Sequence, residues 1–359
     1  MSPSAKGAAP SPEPQYPSRL DQVIGHHLQR GQLARQVATG ACAHAYWIAG
    51  PARVGKTALA AALAAELLSA EGWPGGFTAH PDLWLDDEAG PLGIDRIRGG
   101  EAERGPSLQH FLSLSSFAGG PKVAVVANAD RLTLPAANSL LRLLEEPPSD
   151  SILVLTTSRP DSEHLPNTLR SRCQQLVVGP VAAAEIALWL GRRTGLSSPE
   201  CEIAAAISEG RPGLALEMAL DPGLEHRTEG LVRSWLDCPE SGPGGWLELS
   251  RELAERGRER EVAVAAVRTW AAFLRDCCCR AAGAEELVSL PSFAAAAEAW
   301  GTTLGLSGCL RRYDLAVDAL ARLAEGATAR LVLDRLLLLS FGGHPPNPPI
   351  PAASADQGR

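Results

Sequence analysis

A chain of 359 residues is longer than one hydrophobic core of ordinary size organises, at roughly 100 to 200 residues per domain, so two or three domains are expected. Hydrophobic residues make up 45%, charged residues 21% and aromatics only 5%. The apolar material is mainly Ala, Leu and Val, which favours packed helices and argues against an all-β or disordered protein. Thirty-three Lys and Arg against 41 Asp and Glu give a net charge of -8, the wrong sign for a surface that grips nucleic acid throughout.

In chain order, residues 1–17 are rich in Pro, Ser and Ala with a single Lys. They read as a disordered tail, neither a secretory signal nor a membrane anchor. Residues 18–180 alternate short apolar runs with helical periodicity, the pattern of a parallel sheet wound with helices. Candidate strands are Ala45–Ala49, Leu83–Leu85, Lys122–Ala127, Ile152–Thr157 and Gln175–Val178. After Val181 the strands vanish. A small helical piece, 181–225, ends near Pro222 and Gly223. A second, 226–341, has its amphipathic helices after the Gly/Pro-rich loop Ser241–Gly245. In one of them, Glu261–Leu274, the residues Val262, Ala266, Val267, Trp270 and Leu274 share a face. Its last helix, Thr328–Phe341, is leucine-rich, and residues 342–359 form a Pro-rich tail. Eight cysteines, three of them adjacent at Cys277, Cys278 and Cys279, make no disulfide framework and no C-x-x-C pair. A reducing, cytoplasmic setting without membrane attachment or zinc is expected.

Gly50-Pro-Ala-Arg-Val-Gly55-Lys56-Thr57 fits G-x-x-x-x-G-K-[ST], a loop whose backbone N–H groups curl around phosphate oxygens. An apolar strand enters it and an Ala/Leu helix leaves it, so the helix N-terminus points its partial charge at the phosphates. Lys56 would neutralise β and γ oxygens and Thr57 would ligate Mg²⁺. The competing reading is a strand-to-helix turn that no longer binds nucleotide. A working ATPase also needs an acidic pair at the end of the second strand to hold the metal and polarise water. Here Ala127 and Asn128 stand there. The next carboxylate, Asp130, either substitutes or caps the helix over 132–144, and capping is the preferred reading.

Several further elements occur in order: Leu20-Asp-Gln-Val-Ile-Gly25, His80-Pro-Asp82, Leu144-Glu145-Glu146-Pro-Pro148 and Ser171-Arg172-Cys173. With the phosphate loop they closely resemble the AAA+ subunits of the bacterial DNA polymerase III clamp loader. The resemblance spans about Leu20 to Ala219. It implies a P-loop α/β domain, a helical lid and a C-terminal all-α collar. It also implies partners: gamma/tau and delta subunits, the sliding clamp, and primed DNA through the assembled complex. Within the family, motor subunits keep the acidic pair, and this chain resembles the degenerate delta-prime type. The lid position Gly210-Arg-Pro-Gly213 places Gly213 where motors carry an Arg, with Arg211 two residues early. The four zinc cysteines of many members are missing from 67–77. The resemblance assigns Arg172 to a neighbour's γ-phosphate in trans and Thr157 to a polar sensor position, although closing its strand is the simpler role for Thr157. ATP or ADP would be held weakly or vestigially by Gly50, Gly55, Lys56 and Thr57, with Mg²⁺ only alongside nucleotide. The alternatives are a hydrolysing gamma/tau-type ATPase or another P-loop ATPase.

Overall fold

The computed structural model describes residues 17, 19–70, 73–74, 76–88, 90–99, 101–102, 105–159, 165–221, 223–254 and 259–342. Of the tails expected over 1–17 and 342–359, only residues 17 and 342 fall among them. The chain divides into two compact units, 1–181 and 182–359.

The first unit contains strands β1 (Ala45–Ala49), β2 (Leu83–Asp86), β3 (Glu101–Ala102), β4 (Gly105–Pro106), β5 (Lys122–Val126), β6 (Ser151–Thr157) and β7 (Gln174–Val177). Its helices are α1 (His27–Thr39), α2 (Lys56–Leu67), α3 (Ile94–Arg98), α4 (Leu108–Ser113), α5 (Leu134–Glu145) and α6 (Asn167–Ser171). Five strands form one parallel sheet in the order β2-β5-β6-β1-β7, with β3 and β4 as a separate hairpin. Every residue of β1 and β5 is buried, as a parallel sheet covered on both faces requires. The two-residue period sorts them. Tyr46, Ile48, Val123, Val125 and Val154 pack with α2 on one face. Trp47, Ala49, Ala124, Val126 and Leu155 pack with α5 on the other. The expected strands are all present, each within one residue of its predicted ends, and the α/β wound sheet is the observed architecture.

His80-Pro-Asp82 staples the sheet to its surroundings. The Nδ1 of His80 accepts from the Asp82 N–H, and the His80 ring lies 4.2 Å from that of Trp73. The Asp82 side chain, 1% exposed, accepts from Phe117 N–H (2.8 Å), Ala118 N–H (2.8 Å) and the Ser116 hydroxyl. Lys122 Nζ lies 3.8 Å away and 4.1 Å from the Phe111 ring centroid. One carboxylate thus ties the start of β2 to the loop before β5.

Among its described residues the second unit is built of helices: α7 (Ala183–Thr194), α8 (Ser198–Ile207), α9 (Pro212–Ala219), α10 (Leu224–Ala254), α11 (Glu259–Ala281), α12 (Ala294–Glu325) and α13 (Ala329–Phe341). Ile203 and Ile207 of α8 share a core with Val232, Trp235, Trp270, Phe273, Trp300, Leu333 and Phe341. Trp235 stacks at 5.3 Å from Trp270 and 4.8 Å from Phe341. The Ser241–Gly245 loop expected from composition is instead a kink inside α10. Gly242 alone leaves helical geometry, at φ 65° and ψ -178°. Pro243 follows as the first residue of the next helical stretch, where its missing N–H costs nothing. Of the leucines in the last helix, Leu333, Leu336 and Leu337 are buried, whereas Leu331 and Leu338 are exposed. Among the described residues no helix is long and apolar enough to cross a membrane.

Removing one member of a buried, hydrogen-bonded ion pair costs about 3–5 kcal/mol, so Asp82→Ala should lower the unfolding free energy of the first unit, read from urea denaturation, by that amount. Burial pushes the Asp82 carboxyl up, but bonds from Phe117, Ala118 and Ser116 and the Lys122 charge outweigh it and hold it below the usual range. Its stabilisation is therefore present above the unfolded-state carboxyl pKa and lost as pH falls through the lower folded value. The gap between wild type and Asp82→Ala should narrow over that acid window.

Candidate functional site

The phosphate loop sits at the C-terminal end of β1, where the sequence forces a tight passage. A Cβ on Gly50 would lie 2.2 Å from the Val178 carbonyl oxygen, so no other residue fits. Gly55 takes φ +108°, which L side chains avoid, and α2 starts at the next residue. The first N–H groups of α2 have no partner within their own helix, and the dipole favours an anion there. Thr57, half-buried, lies in that first turn. The Nε2 of His26 is 2.9 Å from the Val54 carbonyl oxygen and joins the loop to the chain entering α1.

Lys56 is 4% exposed. Its Nζ donates to the carbonyls of Gly50 (2.9 Å) and Pro51 (2.7 Å) and to the Ser158 hydroxyl (2.9 Å). Burial pulls the ammonium down to about 8, against the Asp130 charge, which acts to raise it.

The capping reading of Asp130 is overturned. Thr133 occupies the N-cap of α5, and Asp130 lies in a short 3-10 turn, Ala129–Arg131, before it. Its carboxylate reaches across to the end of β6, accepting from Thr157 Oγ1 (2.5 Å), Ser158 N–H (2.7 Å) and Arg159 N–H (3.2 Å). Thr157 therefore does more than close its strand, because its hydroxyl fixes Asp130, whose charge acts on Lys56. Ser158 was not singled out in the sequence at all. A polar residue directly after a strand that neighbours the loop strand was the available signal.

At the end of β5 the positions of an acidic pair hold Ala127, which is buried, and Asn128, at φ 55°. The Asn128 N–H donates to Thr156 Oγ1 at 2.9 Å. The nearest carboxylate on the neighbouring strand, Asp86, is engaged by Arg96 (3.3 Å) and Arg131 (2.5 Å). The residues present thus fit a polyphosphate, through Gly50, Gly55, Lys56 and the start of α2. Among the described residues they offer Thr57 to a metal but no uncommitted carboxylate beside it.

Arg172 lies apart from this cluster, at the C-cap of α6. Its guanidinium pairs with Glu145 Oε1 at 2.8 Å and donates to the Thr168 carbonyl at 3.1 Å. Gln174 is in register with Tyr46 and Val177 with Ala49. Arg172 therefore enters β7 at the N-terminal edge of the parallel sheet, while the phosphate loop leaves β1 at the C-terminal edge. Four paired residues separate the two edges by about 13 Å at 3.3 Å per residue. Cys173, beside it, is buried, donates to the Leu169 carbonyl, and has its thiol pushed up to about 12 by burial. In the second unit, Arg211 is the N-cap of α9, with Gly213 in its first turn. Arg211 donates to the Ser208 carbonyl (3.0 Å) and pairs with Glu209 (2.8 Å). Among the described residues no three His, Cys, Asp or Glu side chains are placed to hold a metal.

A depressed lysine binds fewer protons folded than unfolded, so stability rises with pH between the folded and unfolded values. Wild type should therefore gain stability relative to Lys56→Met as pH is raised above about 8, until the unfolded-state lysine also loses its proton. Thermal unfolding of both proteins across that range measures it.

Residues 78–182 match the family described as DNA polymerase III, delta subunit. The chain is 36% identical over 187 residues to the DNA polymerase III subunit delta' of Pseudomonas aeruginosa, covering 47% of this chain and 54% of that protein. It is 37% identical over 142 residues to the Escherichia coli subunit delta', covering 39% and 40%. The chain thus spans about half the length, or less, of these curated relatives. Among solved structures, a gamma subunit-related DNA polymerase III protein of Thermotoga maritima aligns at TM-score 0.41 and 20% identity, over 87% of this chain and 99% of that one. The N-terminal half of this chain, a wound parallel sheet with a phosphate loop at the end of β1, is thus similar in sequence to DNA polymerase III subunits delta'.

Proposed function

We propose that the chain serves as a cytoplasmic, delta-prime-like stator of the DNA polymerase III clamp loader. In this reading it holds nucleotide weakly or not at all and hydrolyses none. It joins gamma/tau and delta subunits and presents Arg172 to the γ-phosphate of the adjacent motor, so that the sliding clamp is loaded on primed DNA. The observation that carries the proposal is the commitment of Asp130. Among the described residues, the carboxylate beside Lys56 spends its oxygens on Thr157, Ser158 and Arg159, and none of those residues supplies a free metal acid or water-orienting acid at the loop. The strand register supports action in trans, since Arg172 enters the sheet at the edge opposite its own loop. Releasing Arg172 from the exposed Glu145 pair costs less than about 1 kcal/mol, so the side chain is available to a stronger anion. When bound, a nucleotide would be held by Gly50, Gly55, Lys56 and Thr57. A gamma/tau-type hydrolysing reading rests on the intact loop alone.

The purified chain should show no ATP turnover above background; steady hydrolysis abolished by Lys56→Ala would establish the motor reading instead. In a rebuilt loader, Arg172→Ala should leave this chain's fold and assembly intact while cutting hydrolysis at the one affected site by up to roughly 10³- to 10⁵-fold. Arg172→Lys should not rescue it, because a point charge lacks the planar fork. Clamp- and DNA-stimulated ATPase assays decide between these outcomes, and unchanged rates would reduce the chain to a scaffold.

A further inference from the structure

The second unit contains a cavity of about 320 Å³ walled by Arg211, Arg260 and Arg268, with Glu209, Val264 and Leu320 among its other residues. Arg211 comes from the start of α9, while Arg260 and Arg268 stand two turns apart on α11. Among the described lining residues, three guanidinium groups share this wall with the Glu209 carboxylate. Glu209 lies 2.8 Å from Arg211 and 3.8 Å from Arg268, and Glu217 adds a further negative charge that acts on Arg268. Arg260 donates to the Leu323 carbonyl. The Nε of Arg268 is buried and has no hydrogen-bond partner. Burial, then the like charge of Arg211, pushes the Arg268 guanidinium below its usual range. A partly buried cluster of like charges with an unmet donor is stabilised by an anion that brings its own acceptors.

We propose that this cavity is a binding site for a small phosphate-bearing anion, independent of the phosphate loop. Its volume is at the lower end for ligand pockets, which suits one or two phosphoryl groups and excludes a large molecule. Three planar forks arriving from two helices match the several oxygens of a tetrahedral phosphate, whereas a carboxylate offers only two.

The probe is inorganic pyrophosphate, titrated calorimetrically into the full chain in a Lys56→Ala background so that the phosphate loop contributes nothing. Binding should persist in Lys56→Ala and weaken at least tenfold on adding Arg268→Gln. Because Arg268→Gln can disturb packing, circular dichroism accompanies it and Glu209→Gln supplies a second test. Removing the Glu209 charge from the wall should tighten binding severalfold, which a purely structural arginine cluster would not do. The proposal is overturned by loss of all binding in Lys56→Ala, by affinity indifferent to both Arg268→Gln and Glu209→Gln, or by succinate binding as tightly as pyrophosphate.

Discussion

An ammonium 4% exposed at the end of a parallel sheet cannot remain charged without close oxygen partners, and the geometry around Lys56 is organised to supply them. The Gly50 and Pro51 carbonyls turn inward, the Ser158 hydroxyl comes from the strand beside β1, and the Asp130 charge stands behind them. Gly50 can turn its carbonyl in only because it has no side chain to collide with Val178. The loop, the ends of β5 and β6 and the exit from β7 therefore gather around one buried cation.

The same arrangement shows how an acid beside a phosphate loop can be wholly committed to the fold. Asp130 serves the fold by clamping the end of β6 through Thr157, Ser158 and Arg159, so it would be retained whether or not nucleotide is turned over. Asp82 is a parallel case in which a carboxylate is fully used by the N–H groups of Phe117 and Ala118, the Ser116 hydroxyl and Lys122. In both places an acid that reads as chemistry in one dimension works as a clamp in three.

What the amino-acid order made legible was local. The glycines, lysine and threonine of the loop are contiguous, and the buried strands announce themselves as short apolar runs, so the sheet and the site's anion side were readable. Asp130 was misread because its partners lie 27 to 29 residues away while a helix begins close after it. The Gly/Pro cluster within α10 was misread because composition cannot tell a loop from a kink absorbed by Gly242 alone. Arg211, Arg260 and Arg268 carry no shared motif and meet only when α9 and α11 pack in one core. The roles of Arg172 and of the lid position came from resemblance alone, because neither spacing nor periodicity distinguishes an arginine that serves another molecule from any surface arginine.

The register that sets Gln174 beside Tyr46 and Val177 beside Ala49 gives the first unit a head and a tail. Arg172 and the phosphate cradle belong to opposite edges of one sheet, so a body docked at one edge leaves the other open. A repeated contact of one unit's tail on the next unit's head is heterologous, and such contacts either close into a ring or continue as a spiral. The polarity of any such stack would be written into the direction of five parallel strands.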